Sequence, residues 1–283
     1  MATLLTGMPA GNALTESLIP RIDSLKEKNI SPTLAILRIG ERPDDLAYEK
    51  GAMNRCSKCG VEVKQVLLSE DVTEASLANT IQMLNTDASV HGVLMLKPFP
   101  KHIDNDKMVE LLDPRKDVDG MTAPSLARVY AGAGVGFPPC TAEACMEILK
   151  FYKIPMEGKR AVVIGRSLVI GKPVAMMLLE QNATVTLCHS GTKHLEEECH
   201  KADIVVAALG RAKFLTKEYF TPHQTILDVG INDDGHGGLC GDVDFDAAEP
   251  IVQAITPVPR GVGSMTTALL VAHVVEAAEN TLR

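Results

Sequence analysis

The sequence contains no long apolar run, and we expect no leader segment. No stretch approaches the roughly 18 apolar residues of a membrane-spanning helix. The N-terminus, MATLLTGMPAGNALTESLIPRI, has no basic start followed by a long apolar run, as a secretory signal would. We therefore expect a cytoplasmic protein that does not associate with membranes.

Basic residues are also in short supply. The 28 Lys and Arg residues are outnumbered by 36 Asp and Glu residues, which gives a formal net charge of -8. General nucleic-acid binders usually have basic domains, so this class of function is disfavoured. The charge still permits a local basic pocket for a phosphorylated cofactor.

Zinc-type cysteine spacing is missing. The seven cysteines include one C-x-x-C pair, Cys56 and Cys59, and no second pair follows at zinc spacing. An odd number without a secretory signal fits a reduced protein. We predict no metal site and expect this pair near the end of a helix that stops at Gly60, with a metal or redox pair as the lesser alternative.

What is present is a regular alternation of strand and helix patterns, with hydrophobic residues at 46% of 283 positions. Buried apolar strands alternating with helices predict parallel sheets covered by helices, an α/β fold. We predict two lobes. The first comprises residues 1–138 and is completed by the C-terminal helix, 264–283; the second is a Rossmann-type lobe, residues 139–263.

Residues 160–173, RAVVIGRSLVIGKP, carry the clearest functional signal. An apolar strand ends at Gly165, and Gly171 opens an amphipathic helix. Backbone N–H groups at such a helix start bind phosphate, and glycine lets the chain approach closely. The spacing differs from the usual G-x-G-x-x-G, so the motif is a variant of a dinucleotide site.

The following strand predicts which dinucleotide binds. It ends in CHSGT, residues 188–192, without the acid that takes the ribose hydroxyls of NAD. Arg166 and Ser167 in the glycine turn, with Ser190, could receive a 2′-phosphate. We therefore expect NADP rather than NAD. The alternative is that Arg166 is a solvated loop residue and Ser190 a turn former.

A set of motifs in order resembles the methylenetetrahydrofolate dehydrogenase/cyclohydrolase family. They span nearly the whole chain: KDVDG, PPCT, GRSLVIGKP, CHSGT, ALG, DVGIN, GDVDF and TPVPRGVGSMT. The resemblance implies a homodimer of two-lobed subunits, with folate in the cleft between a catalytic lobe and an NADP lobe. Members oxidise 5,10-methylenetetrahydrofolate to 5,10-methenyltetrahydrofolate, and most then hydrolyse this to 10-formyltetrahydrofolate.

The resemblance also implies roles for single residues. On the cofactor side, these are the pyrophosphate and 2′-phosphate turn, the second-strand loop and the nicotinamide positions: Gly165, Arg166, Ser167, Gly171, Ser190, Thr192, Gly210 and Ile231. On the folate side, Tyr48 matches the tyrosine that packs on the pterin, and Asp119 matches the carboxylate that hydrogen-bonds it. Gly261 and Gly263 match the loop that closes over the ligand.

The match breaks at two positions of the folate site. The family lysine, four residues after the tyrosine and eight before the helix-ending glycine, is replaced by Ala52. The family glutamine that contacts this lysine is replaced by Leu96. The final loop departs as well, with Arg260 and Ser264 where glycine and proline are usual.

These losses affect the two reactions differently. Hydride transfer depends mainly on the placement of two rings, whereas hydrolysis moves protons, a task suited to a lysine of lowered pKa. We therefore expect dehydrogenase activity with weak or absent cyclohydrolase activity, unless Lys97 substitutes. Strand alternation would point Lys97 away from the site, although the following prolines could change this. Two alternatives remain: an NADP dehydrogenase of another small substrate, as in shikimate-type enzymes, or a folate-binding protein without catalysis.

Overall fold

The computed structural model describes residues 1–282, which form two compact units. Unit 1 comprises Met1–Gly11 and Thr141–Thr266, and unit 2 comprises Asn12–Cys140 and Thr267–Arg283. Three helices contribute residues to both units: α1 (Gly7–Glu27), α10 (Gly263–Asn280) and, by its first residue alone, α6 (Cys140–Phe151). The predicted lobes differ from these units at residues 1–11, which belong to unit 1, where Thr3 and Leu4 pair with Ala254 and Ile255. As functional domains, the lobes stay a prediction.

Unit 1 is built on a six-stranded sheet in the order β1-β11-β8-β7-β5-β6, and all five pairings are parallel. A two-stranded antiparallel ribbon, β9 and β10, lies apart from it. The strands are β1 (Thr3–Leu4), β5 (Arg160–Ile164), β6 (Thr184–Cys188), β7 (Ile204–Ala207), β8 (Thr225–Asp228), β9 (Asn232–Asp233), β10 (Leu239–Cys240) and β11 (Ala254–Ile255). The helices are α6 (Cys140–Phe151), α7 (Gly171–Glu180), α8 (Leu195–His200) and α9 (Phe245–Ala248).

Unit 2 contains a three-stranded parallel sheet in the order β3-β2-β4. The strands are β2 (Thr33–Ile39), β3 (Glu62–Leu68) and β4 (Gly92–Met95), and the helices are α2 (Pro43–Cys59), α3 (Glu74–Thr86), α4 (Asn105–Glu110) and α5 (Ala123–Ala131). Strand β2 is buried along its whole length because β3 and β4 flank it. The edge strand β3 has only exposed and half-buried residues.

The predicted α/β class with parallel sheets is confirmed. Helix α2 begins at Pro43 and ends at Cys59, with Gly60 in the left-handed conformation that closes it (φ 79°). The pair Cys56 and Cys59 therefore lies in the last turn of a helix, and both thiols are buried. Burial raises the pKa of the Cys56 thiol to about 12, which makes it inert.

One buried ion pair stands out in unit 2. Arg38 of β2 donates through Nε to Oε2 of Glu49 in α2 at 2.8 Å, and both side chains are less than a tenth exposed. Gln65 of β3 donates to the other carboxylate oxygen of Glu49 at 2.7 Å. This network ties α2, the helix that carries Tyr48, to two strands.

Of the helices formed by residues 1–282, none has the length and apolar character required to cross a bilayer.

Candidate active site

The glycine turn of unit 1 is packed too tightly for any side chain. Gly165 follows β5 with φ 130°, and a Cβ there would overlap the carbonyl oxygen of Ala208. A Cβ on Gly171 would overlap the carbonyl oxygen of Gly165. Only glycine fits at these two positions, so the chain turns closely from β5 into α7, as a phosphate-binding turn requires.

Ser167 shapes the same turn from within. Its hydroxyl accepts hydrogen bonds from the backbone N–H of Ile170 at 3.2 Å and of Gly171 at 3.4 Å. It therefore satisfies donors at the start of α7 that would otherwise lack partners. The exposed hydroxyl of Ser167 also lines the adjoining cavity.

This cavity has a volume of about 560 Å³, and Arg166 and Ser190 both lie in its wall. We call it the adenosine-side cavity, after the 2′-phosphate pocket that the sequence predicts from these residues. The structure thus brings together the two loops from which the 2′-phosphate pocket was predicted. Thr192 holds the second loop, since its hydroxyl accepts a hydrogen bond from the backbone N–H of His189 at 2.9 Å. The wall also contains residues to which the sequence analysis gave no role: Glu196, Arg211, Phe214 and Tyr219.

A single carboxylate organises the loop after β7. Asp242 is fully buried and accepts three successive backbone N–H groups, from Leu209 at 2.5 Å, Gly210 at 3.1 Å and Arg211 at 2.7 Å. Asn232 donates to the same carboxylate at 3.0 Å. Sequence reasoning quoted GDVDF as a motif but missed this role, and only the buried acid within that motif could have hinted at it.

Asp228 supports the arrangement from one strand away. Its carboxylate accepts hydrogen bonds from the backbone N–H groups of Gly230, Asp242 and Val243 at 2.9–3.0 Å. Burial nevertheless raises the pKa of Asp228 to about 6. Asp228 thus binds the backbone of Gly230 and Asp242 binds the side chain of Asn232, the two residues on either side of Ile231.

The C-terminal loop of unit 1 encloses a smaller cavity of about 230 Å³. Ile231, Gly261 and Gly263 line it together with Arg260 and Ser264. A Cβ on Gly263 would lie 3.8 Å from the Cδ1 of Ile231, an ordinary van der Waals contact, so the two residues are neighbours in this wall. Arg260 adopts a left-handed conformation with φ 87°, which is strained for any residue but glycine. This explains why glycine is favourable at that position.

In unit 2, helix α2 presents Tyr48 half-buried, and Ala52 lies one turn further on. Ala52 is 0% exposed and Leu96 is 6% exposed. Both positions at which the resemblance implies polar groups are therefore filled by buried apolar side chains. Lys50 is exposed, as its angle on the helix predicts.

Asp119 lies in a tightly held segment. The preceding acid, Asp117, is fully buried and accepts hydrogen bonds from the backbone N–H groups of Met121 and Thr122 and from the hydroxyls of Thr122 and Ser125. A Cβ on Gly120 would overlap the backbone at Pro138 and Pro139. The segment therefore presents the Asp119 carboxyl from a fixed backbone.

The surroundings of Asp119 perturb its ionisation. Burial raises the pKa of Asp119 to about 6, and the charge of Asp117 acts in the same direction. A hydrogen bond from the Cys140 thiol opposes this rise. The neighbouring His273 is anchored, with its Nδ1 2.8 Å from the carbonyl oxygen of Val118 and its ring stacked on Phe137 at 4.9 Å.

Lys97 also acts on Asp119. Its charge is among those that lower the pKa of this carboxyl. Strand β4 ends at Met95, two residues before Lys97. Whether Lys97 enters the folate site stays a prediction.

No group of three or more potential metal ligands occurs within residues 1–282.

Comparison with known proteins identifies the family in both parts of the chain. Residues 5–119 match the model of the tetrahydrofolate dehydrogenase/cyclohydrolase catalytic domain, and residues 139–282 match its NAD(P)-binding domain. The bifunctional protein FolD of Carboxydothermus hydrogenoformans is 51% identical over 99% of this chain and 98% of its own length.

Solved structures agree. The bifunctional enzyme FolD, a methylenetetrahydrofolate dehydrogenase/cyclohydrolase from Campylobacter jejuni, superposes with a TM-score of 0.96 at 38% identity, covering 99% of this chain and 100% of that one. The Trypanosoma brucei enzyme, solved with NADP and an inhibitor, gives 0.93 at 29% identity over 100% and 99% of the two chains. The predicted family and dinucleotide-binding domain are confirmed, and the chain belongs to the tetrahydrofolate dehydrogenase/cyclohydrolase family.

Proposed function

We propose that this protein oxidises 5,10-methylenetetrahydrofolate to 5,10-methenyltetrahydrofolate with NADP, and that its cyclohydrolase activity is weak or absent. The observation that carries the proposal is a contrast between two sites. The dinucleotide turn is intact, with Arg166 and Ser190 in one cavity. The position of the family lysine is instead occupied by Ala52, which is 0% exposed.

Preference for NADP follows from the charges of the adenosine-side cavity. Arg166 offers a cation and Ser190 a hydroxyl, and both suit a 2′-phosphate. The strand end at residues 188–192 supplies no acid that would repel it. The Trypanosoma brucei relative was solved with NADP, which supports the same assignment.

The oxidation mainly requires the protein to place the folate and nicotinamide rings next to each other. NADP supplies the hydride acceptor. Tyr48 would pack on the pterin, and Asp119 would accept its hydrogen bonds from the rigid segment described above. Gly210 and Ile231 would shape the nicotinamide position, and Gly261 and Gly263 the ligand loop. The folate nitrogens stabilise the cation that forms, so no general base is required.

Hydrolysis requires proton transfer in addition to placement of the substrate. Water must attack the methenyl carbon while protons are delivered and removed, and a positioned acid–base group typically contributes about 10²–10⁴-fold to such a rate. Neither Ala52 nor Leu96 can move a proton. Relatives named bifunctional carry out both reactions, and our proposal departs from them because of these two residues.

Lys97 is the remaining candidate for the missing lysine. Its charge acts on Asp119, so we propose that Lys97 serves as the electrostatic partner of this carboxylate rather than as a proton carrier at the methenyl carbon. Hydrolysis by the wild-type protein would point to Lys97 first.

A cytoplasmic homodimer completes the proposal. The family resemblance supports the dimer. The seven cysteines are free and buried, which is consistent with a reducing compartment.

Two assays on one purified sample test this function. NADP-dependent oxidation of methylenetetrahydrofolate is expected to be fast, and decay of added methenyltetrahydrofolate is expected to match a buffer blank. Binding of NADP and folate without turnover would overturn the proposal in favour of a catalytically inactive protein. Hydrolysis well above the blank would overturn the role given to Ala52 and Leu96.

A further inference from the structure

The adenosine-side cavity contains an arginine to which neither the family resemblance nor the glycine turn gives a role. The guanidinium carbon of Arg211 lies 3.9 Å from the centroid of the Phe214 ring, and both residues line the cavity. This separation is a van der Waals contact, so the planar guanidinium stacks on the ring. One face of the cation is covered by Phe214.

Both partners of this stack are held in place. The backbone N–H of Arg211 donates to Asp242 at 2.7 Å, and the same carboxylate accepts the backbone N–H groups of Leu209 and Gly210. Phe214 is half-buried and packs against Tyr219, with 6.1 Å between ring centroids. The buried Asp242 therefore holds the backbone of Arg211, and Tyr219 packs against the ring of Phe214.

Arg211 makes no ion pair within residues 1–282. Among the residues that the structure describes, no carboxylate lies within 4.0 Å of its guanidinium. Glu196 shares the cavity wall, where burial and the charge of Glu196 raise the pKa of Tyr219. The exposed face of the guanidinium is thus available to a ligand.

The order of the strands determines which part of a dinucleotide reaches Arg211. Strands β6, β5 and β7 are parallel neighbours, so the loops that follow them meet at one edge of the sheet. The glycine turn after β5 takes the pyrophosphate, and Arg166 with Ser190 suits the ribose phosphate. The base is then the part of the adenosine that lies nearest the third loop, which carries Arg211.

We propose that Arg211, stacked on Phe214, is the platform on which the adenine ring of the dinucleotide lies. The inference rests on the proposed binding of NADP and names a positioning contact within that site. Stacking of a base on a planar side chain is worth about 1–3 kcal/mol. This corresponds to a change in Kd of roughly 5- to 150-fold, and the partly exposed site places the expectation near tenfold.

A different role for Arg211, as a second cation for the 2′-phosphate, makes a different prediction. NADP and NAD share the adenine ring but not the 2′-phosphate. A platform therefore acts on both dinucleotides equally, whereas a phosphate ligand acts on NADP alone.

Calorimetric titration of the full-length protein with NADP and with NAD, without folate, distinguishes these roles. Arg211→Met keeps the reach of the side chain but removes its plane and charge. We expect its Kd to rise about tenfold for both dinucleotides. Arg211→Lys keeps the charge without the plane and is expected to weaken both in the same way. Arg166→Gln is the matched control and is expected to weaken NADP selectively.

A loss confined to NADP in Arg211→Met would overturn the platform, and so would unchanged affinity for both dinucleotides. Phe214→Leu provides a second variant, since it removes the support but keeps the arginine, and it is expected to weaken both dinucleotides. Equal thermal unfolding midpoints would show that these variants are folded. Wild-type protein that binds neither dinucleotide would overturn the proposed function along with the platform, whereas binding of NADP without folate oxidation would overturn only the function.

Discussion

Restoring the missing pair in the folate site should create cyclohydrolase activity. The variant to make is Ala52→Lys with Leu96→Gln, which supplies both the amine and the amide that contacts it. Ala52 lies one helical turn beyond Tyr48, so a lysine there projects from the same face of α2. Burial at a position that is 0% exposed would lower the pKa of the new amine, which is the property an acid–base group needs at neutral pH.

The size of the effect follows from the burial of both positions. Inserting a longer side chain into a packed region costs about 1–3 kcal/mol. A typical stability of about 5–15 kcal/mol tolerates this, so the variant should fold. A positioned acid–base group contributes about 10²–10⁴-fold, and a grafted one falls at the lower end. We expect at least a hundredfold rise over wild type in the double variant, and less in Ala52→Lys alone, because Leu96 then offers no partner.

The assay follows the decay of methenyltetrahydrofolate against a buffer blank, with NADP-dependent oxidation measured on the same sample. Ala52→Met with Leu96→Gln is the matched control, because methionine approaches lysine in length but carries no amine. A folded double variant that keeps its dehydrogenase activity and gains no hydrolysis would refute the reasoning that these two positions limit the second reaction.

Three further predictions concern parts of the molecule outside that pair. Because burial raises the pKa of Asp119 to about 6, kcat/KM for the folate should fall as the pH drops through about 6. Cys140→Ala should move this inflection to higher pH, because it removes a hydrogen bond that lowers the pKa of Asp119. An inflection at the same pH in a folded Cys140→Ala variant would contradict this. Arg38→Met leaves Glu49 buried without its cation and should lower the free energy of unfolding, measured in urea, by about 3–5 kcal/mol. The double variant Arg38→Met with Glu49→Leu should recover most of this loss. Equal stability of the single and double variants would refute the pairing. Gly165→Ala should abolish calorimetric NADP binding, since its Cβ overlaps the carbonyl oxygen of Ala208, and near-normal affinity would show that the turn is not rigid.

Features with a strong local cause were predictable from the sequence. Helix α2 could be bounded at Pro43 and Cys59 because proline favours the first helical turn and Gly60 adopts the left-handed closing conformation. The glycine turn was predictable because Gly165 and Gly171 mark a strand that turns directly into a helix. Helices α1, α5 and α9 were not predicted.

Features that depend on distant residues were not predictable. Asp242 and Leu209 are 33 residues apart in sequence, so no local pattern predicts the hydrogen bonds between the Asp242 carboxylate and the loop after β7. The position of Arg211 beside the glycine turn depends on the strand order, in which β7 and β6 both flank β5. The influence of Lys97 on the pKa of Asp119 was not predictable either, because the two residues are far apart in the sequence and Lys97 lies beyond the end of β4.

One measurement tests the central claim most directly: the fate of the one-carbon unit in a single reaction. Wild-type protein is given methylenetetrahydrofolate and NADP, and NADPH and methenyltetrahydrofolate are quantified together over time, with the spontaneous decay of methenyltetrahydrofolate subtracted. We predict one methenyltetrahydrofolate for each NADPH, because the buried Ala52 and Leu96 provide no group that moves a proton. A persistent deficit of methenyltetrahydrofolate, recovered as 10-formyltetrahydrofolate, would contradict the account.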